Sequence, residues 1–245
     1  MNKKKIKMFI MLMAIFALVV FYKISSDTKK GLNFLASQEH RNLRHTEEQI
    51  NFIKDKEKKE AIKEGKLDAY AMLGDFVFYG DSRVLHYYSY GFLDSSRILA
   101  DNGETYADVQ KYRNELESLS PENVFIAYGV NDIYYKVGED VEGGHPAVVK
   151  EALEHIHEVV PDATIYICGM IPISPYGLEY LHLSENSGEY NATLKEISEQ
   201  YEYVEYIDDE NLSIGGLADI YAPDGYHFKS EFYQIWTQYI ASHLK

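Results

Sequence analysis

From residue 73 onward, short apolar runs alternate with longer amphipathic segments. The short runs predict five strands, Phe76–Tyr79, Ser96–Leu99, Val124–Tyr128, Thr164–Cys168 and Val204–Ile207. The longer segments predict four helices, Tyr106–Ser118, Ala147–Val159, Glu189–Tyr201 and Ser230–His243. Strands separated by helices form βαβ units with a parallel sheet and right-handed crossovers. The pattern therefore predicts a three-layer α/β domain over residues 73–245, with its ligand site at the carboxyl ends of the strands.

The first 24 residues follow a different pattern. Four lysines precede an uninterrupted apolar run from Met8 to Tyr22. The run is shorter than the roughly 20 residues that span a bilayer, but the flanking lysines can extend toward the membrane surface. No small-residue cleavage site follows, which favours an uncleaved signal anchor over a cleaved signal peptide and a secreted product. By the positive-inside rule, residues 1–24 predict a single-pass segment in a bacterial cell membrane and an extracytoplasmic main domain.

Residues 25–72 are polar and charged. The sequence Thr46-Glu47-Glu48-Gln49 matches a capping box at a helix start, and Gly65 suits a helix end. We interpret this segment as a charged helical stem that separates the domain at 73–245 from the membrane.

The charge is unevenly distributed along the chain. Residues 1–70 carry 15 basic and 9 acidic side chains, a net charge of +6, whereas the other residues carry 9 basic and 30 acidic side chains, a net charge of −21. An acidic body repels nucleic acid at long range. The composition therefore excludes nucleic acid as a partner.

Three polar motifs lie at the ends of predicted elements. Gly80-Asp81-Ser82 follows the first strand and places a serine hydroxyl at a helix start. Gly129-Val130-Asn131-Asp132 follows the third strand, where an asparagine amide can donate to an oxyanion. Asp224-Gly225-Tyr226-His227 precedes the last helix and supplies a general base with an orienting carboxylate. Each motif alone also fits an ordinary cap or turn, but their joint occurrence in this order indicates nucleophilic catalysis.

The motifs resemble three sequence blocks of the SGNH (GDSL-like) hydrolases. The glycine of the remaining block matches Gly103 in the segment Ala100–Thr105, and the resemblance covers residues 74–245. It implies a flavodoxin-like sheet and a catalytic triad of Ser82, Asp224 and His227. It also implies an oxyanion hole formed by the Ser82 and Gly103 N–H groups and the Asn131 amide, and it requires no metal or cofactor. Arg83 replaces the leucine of the GDSL name and either faces the cleft or pairs with a nearby acid.

Three functions fit these features. The first is an extracytoplasmic serine esterase that hydrolyses acyl esters, chiefly acetyl esters on carbohydrate, through an acyl-enzyme. The second is a glycan O-acyltransferase with the same triad, which differs only in its acceptor. The third is a catalytically silent binding module, against which the complete motif set argues. The substrate is thus an acylated small molecule or glycan, and the oligomeric state stays open.

Several other side chains have both a structural and a functional interpretation. Abundant tyrosines near predicted strand ends suit a sugar cleft, although half-buried packing is the commoner role of tyrosine. This set comprises Tyr87, Tyr88, Tyr90, Tyr134, Tyr135 and Tyr176. His155 and His157 are two positions apart on a predicted helix and point to different faces, which argues against a shared metal. Cys168 lies in a predicted strand and is expected to be a buried, inert thiol.

Overall fold

The computed structural model describes residues 21–30, 33, 50, 53, 56–57, 60–61, 64, 68–184, 187–210, 212 and 220–244. The chain divides into two units, Met1–Lys58 and Lys59–Lys245. In the first unit, residues 21–30 are helical. Among the described residues, no helix is both long enough and apolar enough to cross a membrane. Most of the predicted anchor, the capping box at 46–49 and Gly65 lie outside the described residues, so the boundaries at 24 and 72 stay predictions.

The second unit contains a parallel sheet of five strands. These are β1 (Phe76–Gly80), β2 (Ile98–Ala100), β3 (Asn123–Ala127), β4 (Thr164–Cys168) and β5 (Val204–Ile207). Their order is β2-β1-β3-β4-β5, and every neighbouring pair is parallel. This is the flavodoxin-like order, so the predicted α/β class and parallel sheet are confirmed. The second predicted strand begins two residues too early, because the Asp94 side chain accepts from Ser96 N and winds Ser95–Arg97 into a 3-10 helix.

Among the described residues of the second unit, seven α-helices are bounded. They are α1 (Ser82–Ser89), α2 (Arg113–Leu119), α3 (Val130–Tyr134), α4 (Gly144–Val159), α5 (Pro175–Leu181), α6 (Ser187–Ser198) and α7 (Ser230–His243). Short 3-10 helices cover Ala71–Leu73, Ser95–Arg97 and Tyr106–Tyr112. The prediction of one helix over Tyr106–Ser118 was wrong, because a capping box between Thr105 and Asp108 starts a 3-10 helix there and α2 begins only at Arg113. Helices α3 and α5 were not predicted because such short helices show little periodicity.

Helices cover both faces of the sheet. Phe76 and Phe78 of β1 point to one face, where they join an aromatic core with Tyr87 of α1 and Trp236 of α7. Val77 points to the other face, whose mainly aliphatic core is covered by α2, α4 and α6. Successive strand residues alternate between faces, and both faces are buried. The result is the predicted three-layer arrangement.

The strand order determines where the motifs meet. Strand β1 pairs with β2 on one side and with β3 on the other, so the chain order reverses between β1 and β3. In open α/β sheets such a switch point leaves a crevice at the carboxyl ends of the strands. The segments after β1 and β3 begin with Asp81 and Tyr128, and they carry Ser82 and Asn131 into that crevice.

Candidate active site

Ser82 is the first residue of α1, directly after the turn that leaves β1. The turn is tight because a Cβ on Gly80 would lie 2.2 Å from Val84 Cγ2, so only glycine lets α1 pack onto the strand. Asp81 caps the helix by accepting from Arg83 N at 2.8 Å. The serine hydroxyl is thereby held at the carboxyl end of β1.

An unbroken series of hydrogen bonds joins the three residues of the predicted triad. His227 Nε2 lies 2.8 Å from Ser82 Oγ. His227 Nδ1 lies 2.7 Å from Asp224 Oδ2. An ionised carboxylate can only accept, so Nδ1 carries the ring proton and Nε2 is left to accept from the serine hydroxyl.

Asp224 is held by the backbone of its own loop as well. Its Oδ1 accepts from Tyr226 N at 3.1 Å and from His227 N at 2.9 Å. Burial raises the pKa of Asp224, but the hydrogen bonds from the His227 ring and the two backbone N–H groups outweigh it and leave the pKa below its ordinary value. The carboxylate is therefore ionised at neutral pH and orients the imidazole.

The loop that carries Asp224 and His227 is closed like a small hairpin. An isolated antiparallel bridge pairs Tyr221 with Phe228, and Ala222 N donates to His227 O at 2.9 Å. Gly225 has a φ of +79°, a left-handed conformation that favours glycine. The turn thereby brings Asp224 and His227, three residues apart in sequence, onto the same side of the loop.

Two of the three predicted oxyanion-hole positions, Gly103 and Asn131, lie close together. Asn131 Nδ2 donates to Glu104 O at 3.0 Å and lies 3.5 Å from Asp81 Oδ2. The turn containing Gly103 has a φ of +78° at that residue. The buried Glu104 side chain closes this turn by accepting from Asp101 N at 3.0 Å. The amide of Asn131 is thus oriented between the Gly103 turn and the start of α1.

A family model matches most of this unit. The GDSL-like Lipase/Acylhydrolase family model aligns with residues 86–235. The chain belongs to this family. The aligned segment contains Gly103, Asn131, Asp224 and His227, whereas it begins four residues after Ser82. Ser82 is joined to the matched segment by its hydrogen bond with His227.

Solved structures share the fold at low sequence identity. A Streptococcus pneumonia protein provisionally described as a platelet activating factor is 18% identical, with a TM-score of 0.51 over 78% of this chain and 91% of that chain. A Parabacteroides merdae protein provisionally described as a GDSL-like lipase is 15% identical, with a TM-score of 0.52 over 70% of this chain and 97% of that chain. A search of curated proteins found no match. The family match identifies the chain as an enzyme of the GDSL-like acylhydrolase type.

Arg83 of this acylhydrolase points into the protein and not into the cleft. The side chain is buried, and it donates from Nε to Tyr226 O at 2.7 Å and from Nη1 to Ile171 O at 2.8 Å. The guanidinium also lies 4.6 Å from the centroid of the Phe228 ring. The expectation that it either faces the cleft or pairs with an acid was incomplete, because its hydrogen bonds go to backbone carbonyls. Arg83 therefore links helix α1 to the loop of His227.

Two histidines without an expected partner lie beside the site. The His86 ring is 4.9 Å from the His227 ring, and both burial and His227 lower the pKa of His86. The spacing of four residues from Ser82 on one helix could have indicated this proximity. His145 Nε2 lies 3.3 Å from Asp132 Oδ1, beside a cavity of about 630 Å³. The residues that line this cavity do not include Ser82 or His227, so the cavity is separate from the candidate reacting groups.

The tyrosines near the strand ends divide into two groups. Tyr87 is buried in the aromatic core, as the structural interpretation predicts. The others are exposed, namely Tyr88, Tyr90, Tyr134, Tyr135 and Tyr176. Cys168 is free and buried, and burial raises the pKa of its thiol well above the ordinary value, so it is the inert thiol expected from the sequence.

Proposed function

We propose that this acylhydrolase is a serine esterase in which Ser82 is the nucleophile, His227 the general base and Asp224 the residue that orients the base. The single observation that carries the proposal is the pair of hydrogen bonds of 2.8 and 2.7 Å that join the three side chains in that order. In this arrangement the imidazole accepts the serine proton at Nε2 while Nδ1–H stays hydrogen-bonded to a carboxylate.

The reaction follows from these positions. The Ser82 hydroxyl gives its proton to His227 as Oγ attacks the ester carbonyl, which forms a tetrahedral anion. The anion collapses to an acyl-enzyme when His227 returns the proton to the departing alcohol. Water then repeats the sequence and releases the acid. The Asn131 amide and the N–H groups of Ser82 and Gly103 are proposed to stabilise both anions, a contribution for which removal of one donor typically costs about 10²–10³ in rate.

The proposed substrate is an acyl ester, in particular an acetyl ester, on carbohydrate. Tyr176 and Tyr180 are exposed and belong to a series of rings that reaches His227, and they provide aromatic faces and hydroxyl groups that suit sugars. The acidic body, at −21 over residues 71–245, disfavours anionic substrates. An extracytoplasmic, membrane-attached enzyme would meet such esters at the cell surface, and this location stays a prediction from residues 1–24.

Replacing Ser82 with alanine tests the proposal. Ser82→Ala removes the nucleophile without adding bulk, so hydrolysis of an aryl acetate should fall by at least roughly 10³-fold, as removal of a triad nucleophile does elsewhere. The circular dichroism spectrum and urea midpoint should stay close to those of wild type. A folded Ser82→Ala protein that keeps a tenth of the activity would contradict the proposal. Adding a free glycan acceptor to the wild type separates the two reactions, because an acyltransferase would form acetylated acceptor in place of acetate.

A further inference from the structure

A series of tyrosine rings continues outward from His227. The rings of Tyr176, Tyr180 and Tyr226 follow one another at centroid distances of 6.4 and 6.2 Å, with interplanar angles of 29° and 21°. The Tyr226 ring lies 4.4 Å from the His227 ring. These three rings, called here the tyrosine platform, form a nearly parallel series that leads from the surface to the candidate general base.

The platform is held rigidly against the loop of His227. Helix α5, which carries Tyr176 and Tyr180, contacts this loop through backbone atoms. Ser174 N donates to Gly225 O at 3.0 Å, and Gly177 N donates to Ser174 Oγ at 3.0 Å. A Cβ on Gly177 would lie 2.5 Å from Gly225 O, so the two segments approach at a distance that only glycine allows. The position of the platform relative to His227 is thus set by the backbone.

The faces of the outer rings are open. Tyr176 and Tyr180 are each 58% exposed, although large aromatic side chains are usually covered. Near-parallel rings with centroids more than 6 Å apart cover only part of one another. A contiguous exposed aromatic surface beside a reactive group is a typical feature of a binding site.

We propose that the tyrosine platform binds the sugar chain of a neutral O-acylated glycan and directs its ester toward Ser82; this inference rests on the proposed esterase function. A sugar ring has an apolar face of C–H groups with hydroxyl groups at its rim, and a tyrosine ring with its phenol is complementary to both. The net charge of −21 over residues 71–245 and Glu179 on α5 itself repel an anionic chain. A long acyl chain would require an enclosed apolar groove and not an open row of rings.

The test compares two esters with the full-length protein. Hydrolysis of O-acetylated xylotetraose should depend on both the platform and the triad, whereas hydrolysis of an aryl acetate should depend on the triad alone. In the double variant Tyr176→Ala/Tyr180→Ala, kcat/KM for the xylotetraose ester should fall roughly 4- to 100-fold, since each of the two aromatic contacts is worth about 2- to 10-fold. The loss should appear mainly in KM, and hydrolysis of the aryl acetate should change less than about twofold, because the triad is untouched.

Matched variants make the result specific. Tyr88→Ala removes a tyrosine of similar exposure, 52%, outside the platform and should leave both activities unchanged. Tyr176→Phe/Tyr180→Phe retains the rings and should retain most of the activity on the xylotetraose ester. The proposed role of the platform would be wrong if the alanine variant lost activity equally on both esters, or if it lost no activity on the xylotetraose ester.

Different results would contradict the proposed role of the platform and that of the triad. If the wild type cleaves the aryl acetate but does not prefer O-acetylated xylotetraose to O-acetylated xylose, the proposed role of the platform is wrong. The proposed role of the triad is unaffected by that result. Retention of aryl acetate activity in Ser82→Ala would instead overturn the proposed function itself.

Discussion

The two aspartates beside the reacting groups occupy opposite environments. Asp81 precedes Ser82 and is only 1% exposed, and burial raises its pKa to about 6 although Arg83 opposes the change. The Asp224 side chain is 32% exposed, and its pKa is lowered because hydrogen bonds from His227 and Tyr226 outweigh its burial. The same residue type therefore caps helix α1 on one side of the site and accepts a hydrogen bond from the His227 ring on the other.

The difference shows how donors and solvent decide the role of a carboxylate. Asp224 receives three hydrogen bonds from its own loop, so its charge is stabilised where it contacts the imidazole. Asp81 has lost most of its hydration and receives one short backbone hydrogen bond, from Arg83 N. Arg83 connects the two regions, because it lies beside Asp81 and its side chain holds the carbonyl of Tyr226.

The largest expected effect is at Asp224. Asp224→Asn retains an acceptor for the two backbone N–H groups but offers the ring a donor where an acceptor is needed. The ring then adopts the wrong tautomer, and kcat for an aryl acetate should fall about 10³–10⁴-fold, as in other triads. The measurement is steady-state kinetics together with a urea titration. A variant within tenfold of wild type would show that Asp224 does not orient the base.

An intermediate effect is expected at Arg83. Arg83→Met retains an unbranched side chain but releases the Tyr226 and Ile171 carbonyls, so the loop of His227 loses a contact with the nucleophile helix. A displacement of about 1 Å at a reacting group can cost 10²-fold, so kcat should fall roughly 10–100-fold with little change in KM. Rates must be measured at temperatures where the variant stays folded.

Arg97 provides the matched control for Arg83. It also donates to a buried carbonyl, Phe76 O at 2.9 Å, and its guanidinium lies 5.5 Å from the Phe76 ring, outside the site. Arg97→Met should lower the urea midpoint and leave kcat unchanged. If both variants lose stability and neither loses kcat, Arg83 has only a structural role.

The smallest effect is expected in the pH dependence of stability at Asp81. Its folded pKa of about 6 lies above the ordinary value of about 3.9 for an unfolded aspartate. Between these values the folded state holds a proton that the unfolded state has lost, so the free energy of unfolding falls as the pH rises from about 4 to 6.

Asp81→Asn should remove this pH-dependent fall in the free energy of unfolding, while its side-chain oxygen still caps the helix by accepting from Arg83 N. The urea midpoints of wild type and variant are measured from pH 4 to 7. Their difference isolates the contribution of Asp81, because Asp224 and the other titrating groups are present in both proteins. The wild type should lose stability relative to the variant as the pH rises through the window. Parallel curves would show that Asp81 titrates normally.

Much of the site was predictable from local sequence. Hydrophobic periodicity placed the motif of Ser82 after β1 and that of Asn131 after β3, and parallel strands bring such segments to one edge of the sheet. The Asp224 and His227 pair was predictable because it lies within a single turn. The strand starting at Ile98 was misplaced by two residues, since a side-chain cap at Asp94 overrides the apolar pattern.

The direction of Arg83 was not predictable. Its two carbonyl partners belong to Tyr226 and Ile171, which lie 143 and 88 residues further along the chain. The tyrosine platform depends in the same way on contact between Gly177 of α5 and Gly225 of the His227 loop. The periodicity of a sequence does not report contacts between segments that are far apart along the chain.

By itself, the sequence determined which residue types are available and at which strand ends they emerge, because backbone periodicity and turn chemistry act over a few residues. The tertiary structure decided which of them touch. It brought Ser82 within 2.8 Å of a histidine 145 residues away and left one aspartate buried and the other hydrogen-bonded to a ring. Distances, burial and pKa values depend on atoms that come together only when the chain folds. They therefore follow from tertiary packing and not from the local sequence pattern.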